Sequence, residues 1–487
     1  MKLAIIGGGP SAFYVASRIL SLFPYKTSRS SLKIHMFDRL WAPHGLVRYG
    51  VAPDHPEVKN CTHKFDQAAD DPRFSFYGNV NVGGSQQLLP HAVQLPLSSV
   101  FNNYTHVLFA TGCTLPTLHP TLPPSQYCIP ALSLVHWYTQ HPSRPPPPPL
   151  EKLSHVSLIG NGNVSLDIAR ILLTSVSVLQ KYDIPKPVLE LLSRSQVKHV
   201  SIFGRRGPLE AAFTMKELRE MMNLSEASMV PIEPALLDPA QGTTISRQQS
   251  RILQLLKKGS KNTPGTTSKS WSLDFFRSPT NLSPPTTDSS LARLTLAHTM
   301  VDSTHTRAIP IGESTTISTS MVITSLGFHA EPASPFYDPA LGHLRSLSGR
   351  VVLSSGVALK NVYASGWAAT GAKGVLASTL LNAYAVADTI LSDWVSLDSP
   401  NPVSVSSEQT TVDNNITGTV LSSTPDSEHP PPEVLDGINS GSVVEYKDWK
   451  MIDAEEVKRG EVLGKERERI EWPEARTFLA SKETPEQ

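Results

Sequence analysis

Two glycine turns, one at Gly7 and one at Gly160, constrain what this 487-residue chain can fold into more than any other feature. The first follows the apolar run Leu3-Ala4-Ile5-Ile6 and reads Gly7-Gly8-Gly9-Pro10-Ser11-Ala12, with helical apolar spacing continuing to Phe23. This is the G-x-G-x-x-G/A pattern of a strand, a tight turn and a helix. Gly7 permits the turn, Gly9 lets a pyrophosphate approach the backbone, and Ala12 keeps helix and strand close. The first N–H groups of the helix then face the anion. A second strand, 32–37, ends at Asp38, an acid placed to bind ribose hydroxyls. The second turn repeats the mechanics: strand 156–159, Gly160-Asn161-Gly162-Asn163-Val164-Ser165, then a helix over 166–176. Its following strand, 200–203, ends differently, in Gly204-Arg205-Arg206. Two guanidiniums suit the doubly charged 2′-phosphate of NADP, which they grip by paired hydrogen bonds. One unit with an acidic ribose ligand and one with an arginine pair means two nucleotides, FAD in the first and NADP in the second.

The expected fold is α/β: two Rossmann-like, doubly wound nucleotide-binding domains, the NADP domain inserted into the FAD domain. The FAD domain takes 1–114, 328–395 and the C-terminal segment 442–487, and the NADP domain takes 115–327. A polyproline connection spans 143–150, and a basic helical piece lies around 247–258. A further helix is expected over 374–391. The stretch 396–441 is rich in Ser, Thr, Pro and Asp and reads as a disordered insertion, with 400–435 dispensable for flavin binding. Residues 453–469 read as a charged, solvated helix with intervening glycines.

Several classes are excluded. Lys and Arg number 43 and Asp and Glu number 43, so no bulk polycation for nucleic acid exists. Three cysteines, Cys61, Cys113 and Cys128, provide no disulfide framework, redox pair or four-thiolate cluster, and no metal site is expected. A disulfide reductase, which needs a redox cysteine pair, is thereby set aside. No apolar run reaches the ~20 residues of a membrane span. Strand-like residues begin almost at Met1, so no presequence is expected. A flavin monooxygenase also uses two glycine motifs and is the alternative reading.

Longer blocks make the pattern specific. GLVRYGVAPDHPEVKN at 45–60, NGNVSLDIAR at 161–170, GRRGPL at 204–209 and FTMKELRE at 213–220 resemble the adrenodoxin reductase family, the mitochondrial-type ferredoxin–NADP reductases. FFRSP at 275–279, SGW at 365–367 and the tail around Asp448-Trp449 to Lys465 also match, so the likeness covers nearly the whole chain. The resemblance implies FAD contacts at Ser11, Asp38, Leu46, Val82, Trp367, Gly374, Val375 and Leu376. It implies NADP contacts at Asn161, Gly162, Asn163, Val164, Arg205, Arg206, Glu217 and Gly374. Asp38 replaces a more usual glutamate, and Ala368-Ala369-Thr370 a more basic stretch. His55 and Asp167 fall at the cofactor junction and are the candidate catalytic residues. Arg219, Arg247 and Arg251 fall where the family docks its iron–sulfur partner, a [2Fe-2S] ferredoxin. The implied activity is hydride uptake from NADPH and single-electron delivery to that ferredoxin, supplying P450 or iron–sulfur and haem biosynthesis. The implied location is the mitochondrial matrix or the matrix face of the inner membrane.

Overall fold

The apolar run Lys2–Ile6 forms the middle strand of an eight-stranded sheet in the computed structural model. The model describes residues 1–23, 31–83, 89, 91–238, 244–287, 290–302, 304, 307–397, 421–422, 425–426 and 428–483. Strand order is Ser346–Leu347, Arg350–Val352, Ala358–Ala364, His106–Phe109, Lys2–Ile6, Lys33–Asp38, Phe74–Gly78 and Val444–Glu445. The five central strands run parallel, with Ile5 opposite Met36 and Leu108. A parallel sheet is covered on both faces, which is why these strands read as continuous apolar runs rather than alternating ones. One face carries the helices Pro10–Leu22 and Leu376–Leu397, joined through Ala12, Ala16, Ile19, Ala383 and Ala387. The second glycine turn belongs to a separate six-stranded, all-parallel sheet. Its order is Ala227–Met229, Lys269–Phe275, His199–Gly204, His155–Ile159, Met321–Thr324 and Cys128–Pro130. Its core gathers Leu166, Ile168, Phe213, Leu218 and Trp271. The chain leaves the first sheet and returns to it through Leu115–Pro116 and Phe328–His329, which pair as a two-stranded antiparallel ribbon.

Three expectations are corrected. Residues 398–420 of the expected insertion lie outside the described residues, but Pro432–Asn439 is a helix, not disordered chain. Its Val434 is fully buried in the same core as Phe101 and Tyr104, and Lys2 Nζ donates to the carbonyls of Asp426 (2.5 Å) and His429 (2.6 Å). Removing 400–435 would therefore empty part of this core. A proline suits the first helical turn, and Val434 and Ile438, four apart, supply a short apolar face. Composition summed over the whole stretch hides both.

Nor is the C-terminal charged segment solvated throughout. The helix Tyr446–Val462 buries Ile452, Glu456 and Gly460. Arg48 donates to both Glu456 oxygens (3.0 and 2.7 Å), so buried charge is paired as burial demands. Gly460 is required there, because a Cβ would overlap the Arg467 backbone. The helix expected over 374–391 starts at Leu376 and continues to Leu397.

Candidate functional site: two glycine turns and an ionic seam

At the carboxyl ends of Lys2–Ile6, Lys33–Asp38 and His106–Phe109 a cleft opens, the position where doubly wound sheets bind ligands. Gly7, Gly9, Ser11, Asp38, Leu46, Val82, Trp367, Gly374, Val375 and Leu376 all line it, as do Ala110, Thr111 and Gly112. Leu132, His136 and His141 reach it from the second sheet's side. Gly7 holds φ +106°, and a Cβ there would overlap the Ala110 carbonyl. At Gly9 a Cβ would meet open space instead, so this glycine keeps room for something outside the protein. The helix Pro10–Leu22 has no side-chain cap at its first turn, which leaves its N–H donors to an anion. Thr111 Oγ1 is buried without a protein partner, a further donor for a ligand.

Asp38 accepts the N–H of Gly8 (2.6 Å) and of Leu40 (2.7 Å). Burial pushes its carboxyl up to about 6 against the pull of those two donors. Ser11 Oγ is spent on Ser365 Oγ (2.7 Å), and Gly366 lies so close to Ser11 that any Cβ would clash. The SGW block thus packs on the first glycine helix. Trp367 stacks on Phe328 (6.3 Å between centroids) and donates Nε1–H to the Lys373 carbonyl (3.1 Å). Ala12 is fully buried and does not line the cleft; its part is packing.

The second turn repeats this geometry. Gly160 has φ +121° with the Ser325 carbonyl where a Cβ would stand, Gly162 faces open space, and the helix Asn163–Leu173 starts uncapped. Asn161 Nδ2 is buried and unpartnered beside Gly204. Asn163 Oδ1 accepts the Thr214 N–H (2.7 Å), so its side chain holds the next helix. Arg205 is exposed, Arg206 is half-buried, and neither makes an ion pair among the described residues. Val164 is half-buried against the second core. Arg219, Arg247 and Arg251 are exposed on the helices Met215–Met222 and Arg247–Lys258, which pack together. The latter begins with the Ser246/Gln249 capping box, and Gln249 also holds the Leu209 carbonyl (2.9 Å).

His55 and Asp167 do not line the cleft; they belong to an ionic seam between the two sheets' domains. Arg170, 4% exposed, donates to Asp54 (2.5 and 3.0 Å), Asp167 (2.8 Å) and Glu217 (3.1 Å). His55 Nε2 meets Glu220 at 2.7 Å. Lys216 pairs with Glu57 (2.5 Å) and Lys59 with Asp183 (2.9 Å). Asp54, His55, Glu57 and Lys59 of the 45–60 block thus each hold a partner on the second domain, while Arg48 pairs within the first. The ligand atoms of His55, Asp167 and Glu217 lie within 4.8 Å of one another, and the Arg170 guanidinium already supplies positive charge there. Asp54, Arg170 and Glu220 stand inside the family-like blocks, where the resemblance marks no role for them. The available signal was an arginine on the otherwise apolar face of 166–173.

Burial first, then the neighbouring Asp167, raises the Glu217 carboxyl to about 8. The folded state therefore keeps a proton that the unfolded chain releases in the ordinary carboxylate range. Stability from this group is complete below that range and is lost as pH rises through about 8. The thermal midpoint of the wild type should fall between pH 6 and pH 9, and Glu217→Gln should flatten that slope. An unchanged slope in circular-dichroism melts would place the proton elsewhere.

Two dinucleotide folds in one chain, one with an acid and one with an arginine pair after its second strand, define an NADP-dependent flavoprotein oxidoreductase. No family model matches the chain. It is 33% identical to the NADPH:adrenodoxin oxidoreductase, mitochondrial, of Bos taurus over 97% of its length and 90% of that relative. The Homo sapiens protein of the same name is 32% identical over 97% and 90%. The structure of Mycobacterium tuberculosis FprA in complex with NADPH superposes with a TM-score of 0.81 at 30% identity, covering 98% of this chain and 99% of that one. The chain belongs to the NADPH:adrenodoxin oxidoreductase family. Among the described residues no helix is long and apolar enough to cross a membrane.

Proposed function

We propose that the protein takes a hydride from NADPH and passes the electrons one at a time to a [2Fe-2S] ferredoxin. The observation that carries this reading is the pair of uncapped glycine-turn helices, one followed by Asp38 and the other by Arg205 and Arg206. FAD sits in the cleft of the first domain (1–114, 328–395 and the C-terminal segment), and NADP(H) on the inserted domain, 115–327. Bound there, FAD supplies the chemistry that converts a two-electron donor into single-electron delivery. The chain's part is placement and electrostatics. Gly7 and Gly9 admit the pyrophosphate, Asp38 faces the ribose, and Leu46, Val82 and Trp367 give apolar walls. Gly374 has φ +84° and leads into the helix starting at Leu376, whose positive end favours negative charge in the cleft. Asn161 to Val164 receive the second pyrophosphate, Arg205 and Arg206 the 2′-phosphate. Glu220 fixes the His55 imidazole in the seam between the domains, and Arg170 fixes Asp167 there.

The relatives' names place those proteins in mitochondria, and we assign this chain to the matrix or the matrix face of the inner membrane. Supply of electrons to a P450 or to iron–sulfur or haem biosynthesis is the role that fits such a partner. A spectrum of the purified protein tests the class: flavin bands should bleach on NADPH addition. Cytochrome c reduction should then require added ferredoxin, and turnover of an organic substrate with O2 instead would make it a monooxygenase. Arg219, Arg247 and Arg251 form the docking face for an acidic ferredoxin. Arg247→Glu with Arg251→Glu should raise the ferredoxin concentration for half-maximal rate about tenfold or more, while direct ferricyanide reduction stays unchanged. Added salt should erode the wild-type advantage, because surface attraction falls off within about 8–10 Å. Equal loss of both activities would move these arginines into the fold or the NADP site.

A further inference from the structure

The two domains are joined covalently only by the ribbon of Leu115–Pro116 and Phe328–His329, two residues on each strand. So short a ribbon leaves rotation of one sheet against the other to be set by side chains. On the second domain, Asp183 is 2% exposed. Arg469, from the C-terminal segment after the helix Tyr446–Val462, donates to both its oxygens (2.7 and 2.6 Å), and Lys59 to one of them (2.9 Å). The same guanidinium donates to the Arg48 carbonyl (2.8 Å) and to the Thr139 carbonyl. Arg48 lies in Leu46–Tyr49, whose Leu46 and Tyr49 line the first cleft, and Thr139 Oγ1 donates to the Tyr49 carbonyl (3.1 Å). Lys465 donates to the Ile184 carbonyl (2.6 Å), and the Glu466 N–H to the Lys181 carbonyl (3.1 Å). Burial alone would raise the Asp183 carboxyl, but Arg469 and then Lys59 hold it far below the usual carboxylate range.

Arg170 and Asp54 make another buried, two-point pair across the same boundary (2.5 and 3.0 Å), but it does not reach the wall of the first cleft. The Lys216–Glu57 pair is about half exposed, and such pairs contribute little. The Asp183–Arg469 pair is bidentate, dry and directional, and it ties the second domain directly to the wall of the first cleft.

We propose that the Asp183–Arg469 joint, braced by Lys59, sets the approach of the NADP domain to the flavin cleft, making Arg469 and Asp183 positioning residues for hydride transfer. The inference rests on the two-cofactor reading above. Hydride transfer needs the reacting atoms about 3–3.5 Å apart, and a misplacement of about 1 Å costs on the order of 10²-fold in rate. A hinge held by the ribbon and the Arg170 seam still leaves the wall of the first cleft free on its far side, and the joint fixes that side.

The test uses Arg469→Met, Asp183→Asn and Lys59→Met in the FAD-loaded protein. Two exposed serines, Ser21 on the first domain and Ser193 on the second, are replaced by cysteine for spin labels. The interlabel distance should be single and narrow in the wild type and broad in Arg469→Met and Asp183→Asn. Flavin bleaching at saturating NADPH should slow tenfold or more in both variants, and several-fold in Lys59→Met. NADP+ affinity should stay within about threefold, FAD content should be unchanged, and ferricyanide should reoxidise dithionite-reduced flavin at the wild-type rate. Arg469→Lys, which keeps one charged donor, should recover part of the bleaching rate. A narrow distance with undiminished bleaching overturns the proposal. So does loss of FAD in step with loss of bleaching, which would make the joint part of the flavin domain's own fold. If Arg469→Met does not accumulate as folded protein, Lys59→Met and Arg469→Lys carry the same comparison. A wild type that NADPH fails to bleach refutes the cofactor reading instead, and the spin-label distances still judge the joint.

Discussion

Replacing Arg205 and Arg206 together by alanine is expected to weaken NADPH binding by two to four decades while leaving the NADH rate nearly unchanged. In the proposed NADP site each guanidinium would contribute a charge-assisted hydrogen bond of about 1.5–3 kcal/mol to the 2′-phosphate, roughly one to two decades apiece. Both follow the strand His199–Gly204 beside the second glycine turn, and neither is engaged in an ion pair among the described residues. Their charge is therefore available to a ligand, and its loss leaves no buried partner behind. NADH lacks the 2′-phosphate and never makes these contacts. The measurement is kcat/KM for each nucleotide with ferricyanide as acceptor. Equal losses for NADPH and NADH would show that the arginines act on the fold or on the shared part of the nucleotide.

Arg170→Met should have the largest effect on stability. Its guanidinium is the hub for Asp54, Asp167, Glu217 and Glu220 (3.4 Å), and methionine leaves those carboxylates facing one another in a largely dry seam. Breaking a buried ion pair from one side costs about 3–5 kcal/mol. For 487 residues unfolding together, at about 2.1 cal/mol/K each, that corresponds to a Tm lower by about 3–5 °C. The loss carries a pH signature. Without the guanidinium the acids' folded pKa values rise, so they favour the protonated form, and the variant's stability is lost as pH increases through those raised values. The Tm deficit should be smaller at pH 5 than at pH 8. A deficit independent of pH would mean that the seam's charges are already solvated.

Much of the architecture was legible because parallel-sheet and glycine-turn chemistry is local. The run from Leu3 to Ala12 contains its own strand, turn and helix start, although the carbonyl that bars a Cβ at Gly7 comes from Ala110, just past the neighbouring strand His106–Phe109. The Ser246/Gln249 box announces the helix Arg247–Lys258 in the same way. What stayed illegible were contacts made at long sequence separation. The block at 45–60 carries a family resemblance, yet that resemblance does not show that Asp54, His55, Glu57 and Lys59 spend their polar groups on Arg170, Glu220, Lys216 and Asp183. The tail reads as solvated because charge alone cannot show that Glu456 and Arg469 are buried and paired.

The sequence by itself determined two dinucleotide folds, their different ribose ends and the arginine pair, since each is written in residues adjacent along the chain. Tertiary structure alone decided how the two folds meet. An ion pair such as Asp183–Arg469 joins residues 286 positions apart, and no period or local propensity records which buried acid a given arginine will face. Burial makes that choice: once removed from water, each charge must find its partner across the domain boundary, and the set of partners fixes the seam.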